Sequence, residues 1–207
     1  MLTRRTVTAA LVSLALPFGL SVPIAAQEAE RLPDVVMGDE NAPVEIVEYA
    51  SMTCPHCKAF HEGTFKELKS EYIDTGKAKF ILREFPFDPL AAGVFMLARC
   101  SGDNYYDVVD LFFERQAEWT NTRAENEAER PLAVMRKLAL QAGFTDDSFR
   151  ACLTDQKLLD GINAVKDHGY SEMGVRATPT IFVDGEKLDG TRDIRAFRDI
   201  IDPKLGG

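Results

Sequence analysis

At 207 residues, 45% of them hydrophobic and 28% charged, the chain holds enough apolar material for one globular core, or for one core carrying a large insertion. Its formal net charge of −9 argues against nucleic acid as a partner, and against docking to an anionic membrane surface by charge alone. Four cysteines and three histidines leave room for thiol or metal chemistry, so the setting of those cysteines matters first.

The N-terminus bears on that setting. Arg4 and Arg5 precede the apolar run Val7–Leu16, which Pro17 and Gly19 end, and Ala25-Ala26 stand before the polar Gln27. A basic start, a short apolar segment and a small residue before a polar one describe a cleavable export signal, here residues 1–26. The run is short for a membrane span. Thr6-Val7-Thr8 continues the paired arginines poorly as a twin-arginine signal, so general secretion is expected. Cleavage removes two arginines and no acid, which takes the charge from −9 to −11. Outside a reducing cytosol, cysteines can form disulfides and a CxxC can cycle.

After a polar leader, 27–41, Val44-Glu45-Ile46-Val47-Glu48-Tyr49 reads as a strand, and Cys54-Pro55-His56-Cys57 follows it closely. From Cys57 the spacing turns helical, with Phe60, Thr64, Leu68 and Tyr72 recurring every fourth residue and Gly76 just past the end. Ala78–Phe85 is a second strand closed by Pro86, so the unit is strand, helix, strand, with a parallel crossover. Helices are then expected over Pro89–Cys100, Asn104–Glu118, Pro131–Ala142, Asp146–Leu153 and Lys157–Glu172, with Asp146 as an N-cap and Thr120–Arg130 as a polar loop. Strand character returns at Thr180–Val183. Asp184-Gly185 makes a tight turn into Glu186-Lys187-Leu188, and Asp193–Ile201 closes the chain as an amphipathic helix. The organisation is one α/β core, residues 27–88 and 174–207, interrupted by a helical insertion at 89–173.

The CxxC admits several chemistries. Disulfide exchange needs one accessible thiolate and a second thiol close enough to resolve a mixed disulfide. A CxxC opening a helix supplies both. Cys54 would sit at the N-terminus, where free N–H groups and the helix dipole favour negative charge, and Pro55 suits the first helical position. Cys57 would lie one turn in as the resolving thiol, and a protonated His56 would add positive charge near Cys54. Covalent haem attachment wants histidine directly after the second cysteine, where Lys58 stands. Zinc could take Cys54, Cys57 and His61 but lacks an evident fourth ligand, so no metal is expected. His61 itself is expected at the surface or partly packed. Cys100 and Cys152, both in the insertion, are expected to form a structural disulfide in an exported protein, the alternative being two separately buried thiols.

Strand–CPHC–helix, a helical insertion, and Ala177-Thr178-Pro179-Thr180 entering a strand together resemble the thioredoxin fold, and within it the DsbA-type periplasmic thiol:disulfide oxidoreductases. The resemblance spans nearly the whole chain after the signal. It implies Cys54 as nucleophile, Cys57 as resolving cysteine, and Pro179 as a cis-proline facing the pair, with Thr178 presenting backbone to substrate. Glu48, six residues before Cys54, falls where the family keeps a buried acid beneath the resolving cysteine. The implied activity is donation of the Cys54–Cys57 disulfide to folding exported proteins with free cysteines, by a periplasmic monomer needing no cofactor and reoxidised by a membrane quinone-linked partner. Thr178 stands where the best-known oxidases carry valine, and that leaves a reductase or isomerase on the same fold open.

Overall fold

The computed structural model describes residues 30–190 and 192–206; the expected export signal lies outside the described residues. One five-stranded sheet forms the centre. Its strands are β1 (Val36–Met37), β2 (Val44–Ala50), β3 (Ala78–Glu84), β4 (Thr180–Val183) and β5 (Glu186–Lys187), in the order β1-β3-β2-β4-β5. β2 and β3 run parallel, and the other pairs are antiparallel. β2 is central and nearly fully buried, as a strand covered on both faces should be. Asp184 and Gly185, linking β4 to β5, both have positive φ, as a type I′ hairpin turn requires.

Side chains alternate along β2. Val47 and Tyr49 face one apolar cluster with Ile81, Phe85, Val175 and Phe182, while Ile46, Glu48 and Ala50 face the other side. That other side is covered by α1 (Pro55–Glu62), α2 (Thr64–Leu68) and the closing helix α9 (Ile194–Lys204), where Phe60 stacks on Phe197. Between β3 and β4 come α3 (Pro89–Cys100), α4 (Tyr105–Glu114), α5 (Gln116–Trp119), α6 (Pro131–Gln141), α7 (Asp146–Leu153) and α8 (Gln156–Ser171). α8 returns to the Tyr49 face. A Cβ on Gly169 would lie 2.5 Å from Tyr49 Cε1, so only glycine permits that approach. Cys100 and Cys152 are disulfide-bonded with Cα atoms 6.2 Å apart, joining the end of α3 to α7.

The element order is the βαβ, helices, ββα order expected, with differences that have local causes. β1 has two residues, too short to show any alternation in sequence. The helix after Cys57 is not continuous: Gly63 breaks it at φ −111°, and a π-helical turn, Lys69–Ile73, follows α2. The segment expected as Asn104–Glu118 likewise divides at Arg115 into α4 and α5. Thr145, not Asp146, caps α7, because its hydroxyl and that of Ser148 satisfy each other's backbone N–H.

Candidate functional site

β2 delivers the chain to the site. The turn Ser51–Thr53 is held by Cys54 N–H donating to Ser51 O and by Thr53 Oγ1 donating to Asp88 Oδ2 at 2.6 Å. Asp88 also caps α3, accepting from Ala91 N–H, so one carboxylate ties the turn to the first helix of the insertion. Cys54 then occupies the N-cap of α1 in extended conformation, with Pro55 at the first helical position. Pro55 and His56 are exposed, and Cys57 is fully buried. Cys54 is only 7% exposed, less open than the sequence suggested, so a substrate must approach its sulfur along a narrow window.

The cover over that sulfur is the segment before β4. The Thr178–Pro179 peptide bond is cis, both residues are buried, and Cys54 Sγ lies 3.4 Å from Thr178 O. As a thiol, Cys54 donates to that carbonyl. As a thiolate, it receives hydrogen bonds from the Cys57 thiol, the Thr178 hydroxyl and the backbone N–H groups of Cys57 and His56. The Cys57 donor is the largest of these influences and outweighs the opposing cost of burial, and the Cys54 pKa falls from 9.0 to about 5. Thr178 Oγ1 is buried with no hydrogen-bond partner among the described residues, so its hydroxyl is free to turn to the sulfur once Cys54 ionises. Cys57 moves the other way. Burial, donation to Cys54 and the nearby Glu48 carboxylate hold its thiol far above the ordinary range.

Glu48 is completely buried in β2, and its Oε2 lies 2.8 Å from His61 Nε2. The expectation of a surface or loosely packed His61 is therefore wrong. His61 is buried in the last turn of α1, one turn beyond Cys57 on the same face, and packs against Phe65 and Phe113 with ring centroids 4.6 and 4.5 Å away. Burial disfavours its charge, but the carboxylates of Glu48 and Asp110 prevail and raise its pKa to about 9. His61 thus spends Nε2 on Glu48, while its Nδ1 stands 3.8 Å from Asp110 Oδ1.

Two further residues escaped sequence reasoning. Gln116, buried at the start of α5, donates from Nε2 to Met52 O at 2.7 Å and to Cys54 O at 3.1 Å. Lys58, the residue after Cys57, donates from Nζ to Phe113 O and Glu114 O, the open carbonyls at the end of α4. Both fasten the cysteine turn to the insertion, and neither carries a local sequence signal. Beside the turn, exposed Phe87 leads into an apolar groove of about 530 Å³ between α3, α6 and α8, floored by Met96 and Met135.

Comparison with known proteins agrees with this geometry. Residues 30–203 match the family described as Thioredoxin. The chain is similar to Wolbachia pipientis alpha-DsbA1, with a TM-score of 0.76 and 30% identity, over 86% of this chain and 94% of that one. A Rickettsia bellii protein, provisionally named a protein-disulfide oxidoreductase, is 30% identical over 158 residues, which are 75% of this chain and 59% of the relative. The chain thus spans about three-fifths of that relative's length. Disulfide bond formation protein D of Bacillus subtilis is 23% identical over 181 residues, covering 83% of this chain and 77% of that protein.

Proposed function

The chain belongs to the DsbA-type thioredoxin-fold family, and from that premise we propose that it is an exported thiol:disulfide oxidoreductase that donates its Cys54–Cys57 disulfide to folding proteins with free cysteines. A substrate thiolate attacks Cys54 Sγ, the Cys54–Cys57 bond breaks, and Cys57 leaves as a thiolate that takes up a proton, with Glu48 as its proton partner. The substrate's second thiolate then attacks the substrate sulfur of the mixed disulfide, and Cys54 departs. A leaving thiol of low pKa leaves faster, which favours this release. Thr178 and Pro179 hold the substrate backbone beside Cys54. The protein works as a monomer in the periplasm, without cofactor, and a membrane quinone-linked partner reoxidises it.

The observation that carries the reading is the opposite displacement of the two thiols. A Cys54 thiolate at neutral pH stabilises the reduced protein, so the protein tends to give its disulfide away. Thr178, which had left a reductase or isomerase open, supports the same direction here, because its hydroxyl favours the thiolate. The test is the redox equilibrium of Cys54–Cys57 in glutathione buffers, with a Cys100→Ser/Cys152→Ser variant as control. A pair that stays reduced until the buffer is strongly oxidising supports a donor. A pair already oxidised in mildly reducing buffer makes the protein a reductant instead.

A further inference from the structure

Thiol exchange at Cys54 leaves a proton problem at Cys57. That sulfur is fully buried and must gain a proton each time the disulfide opens and lose it each time the disulfide re-forms. Glu48, the carboxylate whose charge acts most on Cys57, is equally closed off, so the proton needs a way through the protein.

The polar atoms beside Cys57 are arranged as such a way. Glu48 Oε2 meets His61 Nε2 at 2.8 Å, while Glu48 Oε1 has no hydrogen-bond partner among the described residues. His61 Nδ1 is also without a hydrogen-bond partner there, and the nearest carboxylate to it, Asp110 Oδ1 on α4, stands 3.8 Å away. The Asp110 side chain is 57% exposed. A cavity of about 340 Å³ lies at this end, lined by His61, Phe65, Phe113 and Asp110. The other charged groups around it are Glu62 on α1, Lys66 on α2, Lys69 on the π-helical turn and Glu114 on α4. The two unsatisfied atoms therefore sit at the two ends of one short chain, one on the carboxylate that acts on Cys57 and one toward the cavity. A lysine or arginine could also neutralise Glu48, but only an imidazole can accept a proton at one nitrogen while releasing one from the other.

We propose that Glu48, His61 and Asp110 form a proton path linking Cys57 to solvent through the cleft between α1 and α4, separate from the Cys54 window that substrate uses. The path rests on the exchange reaction proposed above. When the Cys54–Cys57 bond breaks, its electron pair goes to Cys57 Sγ. The His61 imidazolium releases its Nε2 proton to Glu48, Glu48 hands a proton on to that sulfur, and a proton from water beside Asp110 then restores the imidazolium. Re-formation of the disulfide sends one proton out by the same groups in reverse, which leaves His61 in its starting charge state. His61 and Asp110 touch no substrate and act through Glu48.

The test follows reduction of the oxidised full chain by a peptide carrying two cysteines, quenched in acid and read as trapped thiols, across pH and with and without added imidazole. His61→Gln, which keeps a hydrogen-bond donor but cannot relay, should slow reduction at pH 7 by about tenfold or more. Asp110→Asn should slow it less, and imidazole should restore a His61→Ala variant. Wild-type rates in folded His61→Gln and Asp110→Asn overturn the path, as does a slow His61→Ala that imidazole leaves slow. Should the His61 variants fail to fold, the exposed Asp110→Asn decides, and an unchanged rate overturns the path. Failure of the wild-type protein to exchange with the peptide would instead sink the oxidoreductase reading beneath it.

Discussion

Acidifying the reduced protein from pH 7 to pH 4 removes the charge on which its redox balance depends, and the size of the effect can be worked out. A Cys54 pKa of about 5 lies two units below neutrality, which favours thiolate over thiol by about 2.7 kcal/mol. In a two-electron couple that is about 60 mV toward a stronger oxidant. Between pH 5 and the alkaline range, reduction takes up a single proton, on Cys57, because Cys54 stays ionised. The potential should then fall by about 30 mV per pH unit, and below pH 5, where both sulfurs take protons, by about 60 mV per unit. The same shift has a sign for stability. A lowered pKa stabilises the reduced fold fully above the ordinary value of 9.0, and the stabilisation drains away as pH falls through about 5. The assay is the glutathione equilibrium of the Cys54–Cys57 pair from pH 4 to pH 8, with thiolate absorbance of the reduced protein as a second readout. A change of slope near pH 5, coincident with the absorbance midpoint, is the expected result. A single slope of about 60 mV per unit through pH 7 would mean that Cys54 is an ordinary thiol, and the reasoning would be wrong.

Two further outcomes concern the insertion. Replacing Cys100 and Cys152 together by alanine opens a bridge between residues 52 apart and should cost up to about 4 kcal/mol of unfolding free energy on loop entropy, measured by denaturant titration of the oxidised protein. Gln116→Leu keeps the volume but withdraws both donors from Met52 O and Cys54 O. It should destabilise the fold by about 1–3 kcal/mol while leaving the Cys54 absorbance midpoint in place, since Gln116 holds the turn's carbonyls and not the sulfur.

Much of the framework was visible in residue order because it depends on neighbours in sequence. A strand running into Cys-Pro-x-Cys and a helix, Asp-Gly between two short strands, and a closing amphipathic helix beginning about Asp193 are all local chemistry. The Glu48–His61 pair was not visible, since it joins β2 to α1 across the sheet face. A signal for it did exist. A strict stride of four from Phe60 leads to Thr64, which is only half-buried, whereas 3.6 residues per turn carries the buried face through Cys57, His61, Phe65 and Leu68. Counting from Cys57 at the true helical period puts His61 inside. Asp110 and Gln116 had no such signal, because only the packing of α4 against α1 and the reach of the Gln116 side chain to the Cys54 carbonyl bring them near the site.

The contact between Cys54 and Thr178 spans 124 positions of chain. The donors that lower the Cys54 pKa include a residue near the C-terminal end, and the turn that aims them is clamped from the middle by Gln116. A chain that has not finished folding lacks this environment, and its Cys54 is an ordinary thiol with a pKa near 9.0, overwhelmingly protonated at neutral pH. Reactivity is thus switched on by completion of the fold. A chain that would otherwise carry an aggressive nucleophile beside three other cysteines of its own while still folding is spared that hazard until the Cys100–Cys152 helices and the Thr178 segment are in place.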